Sequence, residues 1–342
     1  MATILILGAG VMGSALAVPA SDNGHTVTLA GTPLDTQVIT RLKEKGGVHP
    51  KLDKPLADTV TILDDREVTP EHAAAADFVI IGVSSPGIDW AVRRLNDLLR
   101  MRKPVAFVTK GLDRQGDRIV TYAETLPGLV PNIASFIGIG GPCIAKELSN
   151  RFPTLSIYAS RDRVAAETAA GLMRTPYYRL AIAEDATGVE ACAALKNFFA
   201  IGVSAMQTRY PDRTRADGQS KNPTAGAFNQ AAQEMAALCE YIGGVRATAF
   251  DLAGLGDLHV TVGGGRNSRL GHGLGGNRTV PDVMSGELAG ETVEGIDTAR
   301  IVDALLRQVD DAATRFPLAT AITRAVTGNG TLDFDFDRLF GW

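Results

Sequence analysis

The sequence predicts a doubly wound, mostly parallel α/β domain followed by an all-α domain, and three observations predict it. The chain opens on an apolar run that leads directly into a glycine-rich turn and a small-residue helix. Further apolar runs, each ending abruptly in small or polar residues, recur as far as about residue 160. After about residue 185 the strand-like runs stop, and Ala-rich segments of helical period continue to the end. A division into 1–185 and 186–342 follows, and 342 residues with 45% hydrophobic content are enough for two cores.

Thr3-Ile4-Leu5-Ile6-Leu7 is wholly apolar, as a strand buried on both faces of a parallel sheet must be. Gly8-Ala9-Gly10-Val11-Met12-Gly13 then opens the helix Ser14-Ala15-Leu16-Ala17-Val18. Strand, tight turn and helix in this order form the dinucleotide-binding pattern of a Rossmann domain. Gly8 permits the turn, Gly10 lets the backbone approach a pyrophosphate, and Gly13 allows close helix-to-strand packing. Val11 and Met12 begin a helix whose first N–H groups lack intrahelical partners. A glycine turn with no ligand is the plain alternative.

The next strand, 25–30, ends in Gly31-Thr32-Pro33-Leu34-Asp35. A ribose-binding carboxylate belongs at that strand end, where Gly31 and Thr32 stand; Asp35 comes a few residues late and the first arginine is Arg41. NAD or NADP is therefore left open, with a lean towards tolerance of a 2′-phosphate. Runs at 77–83, 104–109 and 136–140 stop at Ser84-Ser85-Pro86, Lys110-Gly111 and Gly141-Pro142-Cys143, and 153–158 reads as a late addition to the sheet. Ligands of open parallel sheets bind beyond the carboxyl ends of strands, so these breakpoints are expected to line one cleft.

In the second part, helices are expected over 187–207, 229–242 and 292–308, the first apolar almost all round and so central. Lys196 lies midway along that first helix, where an ammonium reaches water with difficulty. A buried lysine is costly unless paired or used, and desolvation moves it towards the range useful for proton transfer. Asp257, in Gly254-Leu255-Gly256-Asp257-Leu258, is expected to cap a helix or hold a cation. The run 263–276 carries seven glycines with Arg266, Asn267 and Arg269 between them, which suits a loop that cradles phosphate.

A net charge of −4, from 34 basic and 38 acidic residues without long runs, offers no basic stripe for nucleic acid or an anionic membrane. No segment holds the roughly 20 consecutive apolar residues of a membrane span, and the stretch from Met1-Ala2-Thr3 shows no basic n-region or cleavage site. A soluble, cytoplasmic protein is expected. Cys143, Cys192 and Cys239 lie far apart, and neither they nor the five histidines show metal-ligand spacing, so no metal is expected.

The ordered set formed by the glycine turn, Lys110-Gly111, Gly141-Pro142-Cys143-Ile144-Ala145-Lys146-Glu147, Leu195-Lys196-Asn197, Gly256-Asp257-Leu258, Gly265-Arg266-Asn267 and Val293-Glu294-Gly295 resembles the NAD(P)-dependent glycerol-3-phosphate dehydrogenase family. The motifs span residues 1 to about 300. The resemblance implies an NAD(P)-binding Rossmann domain followed by a helical substrate-binding and catalytic domain. It implies hydride exchange between NAD or NADP and C2 of dihydroxyacetone phosphate or glycerol 3-phosphate, and a place in phospholipid biosynthesis.

By the same resemblance Lys196 matches the proton-transfer lysine, Lys110 a second lysine that also meets cofactor, and Asp257 the carboxylate orienting them. Gly141, Cys143, Asn197, Arg266 and Asn267 match substrate-binding positions. Gly8, Gly10, Val11, Met12, Gly13, Thr32, Ser84, Pro86, Ala145, Arg266 and Glu294 match cofactor-contacting ones. Apart from the resemblance, a buried helical domain with an apolar C-terminal face is consistent with a homodimer. The chain departs from the family at Cys143, where many members carry Ser or Asn, at Ile144, and at His259-Val260-Thr261-Val262. These departures keep a related polyol phosphate, such as a tetritol phosphate, as the alternative substrate. A ketopantoate-type reductase and a catalytically silent dinucleotide sensor are the competing readings.

Overall fold

The computed structural model describes residues 1–333, 337 and 339, except Lys45. The chain forms two compact units. One comprises Met1–Lys110 and Tyr122–Glu190; the other comprises Gly111–Thr121 and the chain from Ala191 onward.

The strands are β1 (Thr3–Leu7), β2 (Thr26–Ala30), β3 (Val60–Leu63), β4 (Phe78–Ile81), β5 (Lys103–Phe107), β6 (Asp113–Gln115), β7 (Arg118–Val120), β8 (Ile133–Gly140), β9 (Thr154–Ala159) and β10 (Tyr178–Ala183). Eight of them make the sheet of the first unit, in the order β10-β9-β8-β5-β4-β1-β2-β3. All its neighbours are parallel except β8 and β9, which run antiparallel. β6 and β7 pair with each other as a small antiparallel hairpin in the second unit. β3, β10 and this hairpin carry no long apolar run, so periodicity does not reveal them. β10, at a sheet edge, alternates polar and apolar residues in Tyr178-Arg179-Leu180.

The first unit also holds α1 (Val11–Asp22), α2 (Thr36–Lys43), α3 (Pro70–Ala75), α4 (Ile88–Leu98), α5 (Tyr122–Leu129), α6 (Ala145–Ser149) and α7 (Arg163–Met173). β1 and β4 lie centrally, and from Ile4 to Leu7 and Phe78 to Ile81 every residue is buried. Packing of α1 against them depends on glycine. A Cβ on Gly13 would sit 2.0 Å from the Gly8 carbonyl oxygen, and one on Gly82 would sit 2.8 Å from the Gly13 Cα. Gly8 itself has φ +110°, a region unfavourable for side chains.

The second unit contains α8 (Ala186–Arg209, entering it at Ala191), α9 (Lys221–Ile242), α10 (Asp257–Val262), α11 (Arg266–Gly275), α12 (Val280–Ser285), α13 (Glu294–Leu306), α14 (Ala312–Arg315) and α15 (Pro317–Thr327). α9 starts well before the expected 229, because Pro223 falls in its first turn, where a missing N–H costs nothing. α8 is the one described helix long and apolar enough to cross a membrane, and its most apolar stretch is wholly buried within the protein.

The glycine run expected to form a loop is largely helix. Only 263–265 precede α11, and Gly271 and Gly275 lie where α11 touches α8. A Cβ on Gly271 would come 2.3 Å from the Ile201 carbonyl oxygen, and one on Gly275 would come 2.2 Å from that of Ala205. Ser204 to Ser268 (3.0 Å) and Thr208 to His272 Nδ1 (2.8 Å) add polar links along the seam. Small residues thus substitute for ridge-and-groove packing at backbone contact distance.

On α9, Glu234 accepts the N–H groups of Leu318 (2.8 Å) and Ala319 (2.7 Å) at the start of α15. Gln230 Nε2 donates to the same carboxylate. Burial pushes the Glu234 carboxyl up to about 7 despite these donors.

Candidate functional site

In the first unit the sequence-derived candidates gather at one edge of the sheet, beyond the carboxyl ends of its parallel strands. The turn Gly8-Ala9-Gly10 follows β1, with Val11 and Met12 opening α1 at Gly10. Thr32 follows β2. Ser84 and Pro86 follow β4, at a 3₁₀ turn spanning Ser85–Gly87. Ser85 Oγ donates to the Lys110 carbonyl (3.0 Å), and Thr109 Oγ1 donates to that of Val83 (2.7 Å), which joins the segments after β4 and β5 and positions Lys110. Gly141, with φ +103°, turns the chain after β8 towards Cys143 and Ala145 at the start of α6.

The three glycines of the turn differ in what they do. Contacts within the protein account for Gly8 and Gly13, whose added Cβ atoms would clash at 2.9 and 2.0 Å. At Gly10 the nearest atom to an added Cβ is the Gly82 carbonyl oxygen, at an ordinary 3.5 Å. Packing therefore gives no reason for a glycine there. The space a side chain would take lies at the N-terminus of α1, where free N–H groups and the helix dipole favour an anion. That is the fit a dinucleotide pyrophosphate needs.

In the second unit, Lys196 is 6% exposed and Asp257 is 3% exposed. Lys196 Nζ donates to Asp257 Oδ1 (2.9 Å) and to Thr261 Oγ1 (2.6 Å), and Thr261 Oγ1 donates to the Asp257 main-chain carbonyl (2.7 Å). The π-helical segment Leu252–Gly256 delivers Asp257 as the first residue of α10. Of the two expected tasks for Asp257, holding a cation is the one observed. Desolvating both charges costs several kcal/mol, which their proximity and the hydroxyl offset only in good geometry. The arrangement holds a proton-carrying amine in one place.

Next to Lys196 on α8, Asn197 Oδ1 accepts from Asn267 Nδ2 (3.0 Å), while Asn267 Oδ1 accepts from the Gly295 N–H (2.9 Å). One amide thus ties α8, α11 and α13 together. A Cβ on Gly295 would come 2.7 Å from that Asn267 oxygen, which gives the glycine after Glu294 its physical reason. Arg266 is ion-paired with Glu294 at 2.5 Å, both part-exposed. Arg269, expected beside it, turns away: it bonds Glu291 (2.8 Å) and the Glu287 carbonyl.

Sequence reasoning missed Thr261 and Gly82. Thr261 stands four residues after Asp257, one helical turn on, and that spacing was the available signal. Gly82 directly follows β4, and only the fold shows that it faces Gly13.

Comparison with known proteins gives a consistent result. Family models described as the N-terminus and the C-terminus of NAD-dependent glycerol-3-phosphate dehydrogenase match residues 3–166 and 185–333. An NADP(+)-dependent glycerol-3-phosphate dehydrogenase of Archaeoglobus fulgidus is 33% identical over 300 residues, covering 86% of this chain and 87% of the relative. A glycerol-3-phosphate dehydrogenase [NAD(P)+] of Lacticaseibacillus casei is 28% identical, with 98% and 97% covered. Among solved structures, glycerol-3-phosphate dehydrogenase from Coxiella burnetii superposes with a TM-score of 0.80 at 24% identity, covering 99% of this chain and 97% of that one, which bears on the fold.

Proposed function

Because the chain belongs to the NAD-dependent glycerol-3-phosphate dehydrogenase family, we propose that it interconverts dihydroxyacetone phosphate and glycerol 3-phosphate with NAD or NADP. The observation that carries the catalytic assignment is the buried ammonium of Lys196, fixed by Asp257 and Thr261. The nicotinamide, when bound, supplies or accepts the hydride at its C4. Lys196 gives its proton to the C2 oxygen as the carbonyl is reduced, and takes one back in the reverse direction. Asp257 and Thr261 keep the amine aimed and stabilise its charged form, and the family resemblance assigns Lys110 the part of a second lysine.

Gly10, the first turn of α1, Thr32, Ser84, Pro86 and Ala145 hold the dinucleotide, and the family resemblance assigns Arg266 and Glu294 cofactor roles. The first turn of α11 and Arg266 take the substrate phosphate. The Asn267 amide binds Asn197 and Gly295, and that residue adds its main-chain N–H in the first turn of α11. The family resemblance assigns Gly141 and Cys143 to substrate-binding positions. The same reading places the protein in the cytoplasm with its soluble co-substrates. A homodimer belongs to it too, supported by the exposed apolar side chains Tyr241, Val245 and Phe250.

The test is oxidation of NADH and NADPH, followed by absorbance, with dihydroxyacetone phosphate and with erythrulose phosphates in parallel. Turnover with the three-carbon ketose is expected, and turnover with the four-carbon phosphate alone would move the substrate assignment. Lys196→Ala should lower kcat by about 10²-fold or more with dinucleotide affinity retained. Near-wild-type turnover in that variant removes Lys196 from the chemistry.

A further inference from the structure

The carboxylate that sequence spacing puts too late is brought back by the fold. The chain turns after β2, with the Asp35 N–H donating to the Thr32 carbonyl (2.9 Å). Asp35 Oδ2 then accepts the N–H of Thr32 (2.8 Å) and the N–H of Ala9 (3.2 Å), the residue between the first two glycines of the turn.

The other side of the same peptide segment is also held. The Ala9 carbonyl accepts from Ser14 Oγ (3.2 Å), and the ring of His49, a buried histidine in the loop after α2, faces the Ala9 main chain. His49 Nδ1 accepts the Lys51 N–H (3.0 Å), which leaves the proton of the neutral ring on Nε2. Burial pushes the imidazole below its ordinary value, so the ring stays neutral with its Nε2 proton on hand for the Ala9 carbonyl. The Gly8 N–H, one residue earlier, is taken by the Ala30 carbonyl at the end of β2 (2.8 Å).

We propose that Asp35 and His49 are positioning residues for the dinucleotide: they clamp the N–H and C=O of Ala9 and so set the shape of the glycine turn that receives the pyrophosphate. A carboxylate at the end of β2 ordinarily binds the adenosine ribose and repels a 2′-phosphate. Here its Oδ2 is shared by two main-chain donors, which anchor it and offset part of its charge. Its contribution is the same for NADH and NADPH. Pre-organising a loop raises affinity by removing the cost of ordering it on binding.

The inference rests on the assignment of the glycine turn to the dinucleotide, and the experiment separates the two. NADH and NADPH dissociation constants are measured by fluorescence titration for the intact protein, Gly10→Val, Asp35→Ala, His49→Phe and His49→Gln, with kcat at saturating cofactor and amide exchange at Ala9 and Gly10. Gly10→Val should abolish binding of both cofactors; unchanged binding there overturns the site itself. Asp35→Ala and His49→Phe should each weaken both cofactors by about tenfold, with their ratio kept within about threefold. kcat at saturation should hold, and amide exchange at Ala9 and Gly10 should rise. His49→Gln, whose side-chain amide can still donate to Ala9, should recover much of the loss. An Asp35→Ala protein that gains NADPH affinity while losing NADH affinity shows a direct ribose ligand and overturns the clamp. So does loss of kcat in step with thermal stability, or unchanged affinity in both variants.

Discussion

Two glycine-rich stretches, 8–13 in the first unit and 263–276 in the second, look alike in sequence and do different work. In the first, Gly8 and Gly13 allow α1 to lie against the sheet, while Gly10 keeps a space open that no protein atom needs. In the second, the first glycines lead into α11, and Gly271 and Gly275, spaced four apart, face the backbone of α8. Glycines between a strand and a helix can leave a cradle; glycines one helical turn apart remove side chains so that two helices touch. The same composition therefore supports a ligand in one unit and mainly a helix contact in the other.

Substitutions at these glycines sharpen the contrast. Gly13→Ala should destabilise the protein by about 3 kcal/mol or more, because its Cβ meets the Gly8 carbonyl inside a close-packed layer. Thermal melting checks this, and a shift of only a degree or two would show that α1 can slide. Gly271→Ala should cost about 2 kcal/mol by prising α11 from α8. Because Asn267 and Ser268 lie on the same helix, its kcat should fall as well, which a purely distant packing role would not produce.

Away from the glycines, the second unit carries its own pH sensitivity. The Glu234 carboxyl sits at about 7 in the folded protein against an ordinary 4.5, so between these values the folded state keeps a proton the unfolded chain has released. Its stabilising contribution is complete below about pH 4.5 and is lost as pH rises through about 7. Glu234→Gln should flatten that part of the stability profile, as read by denaturant midpoints from pH 4 to 8. The smallest effect is expected at Gly264, where an added Cβ meets nothing within 4 Å. Gly264→Ala should change stability by less than about 0.5 kcal/mol.

The central strands and the division of labour between α/β and helical parts were legible in the sequence, since β1, β4 and α8 are apolar runs whose length and period allow one structure each. So was the singular position of Lys196, a charge where the pattern demands burial. The short or polar-patterned elements β3, β6, β7 and β10 were not, because edges and hairpins need no continuous apolar face. α11 was misread because glycine content speaks for a loop unless a partner backbone is known to lie against it.

By itself, the sequence determined which residues must be buried, and that one of them carries an ammonium. Local chain composition fixes hydrophobicity and charge whatever the fold, and so it fixes the cost of burying them. Only the tertiary structure decided what satisfies that cost: Asp257 and Thr261 for Lys196, main-chain donors of α15 for Glu234, and Ala9 and Thr32 for Asp35. Apart from Thr32, three residues before Asp35, those partners are separated along the chain by intervals that no spacing rule encodes, and their hydrogen bonds exist only once the helices and strands have packed.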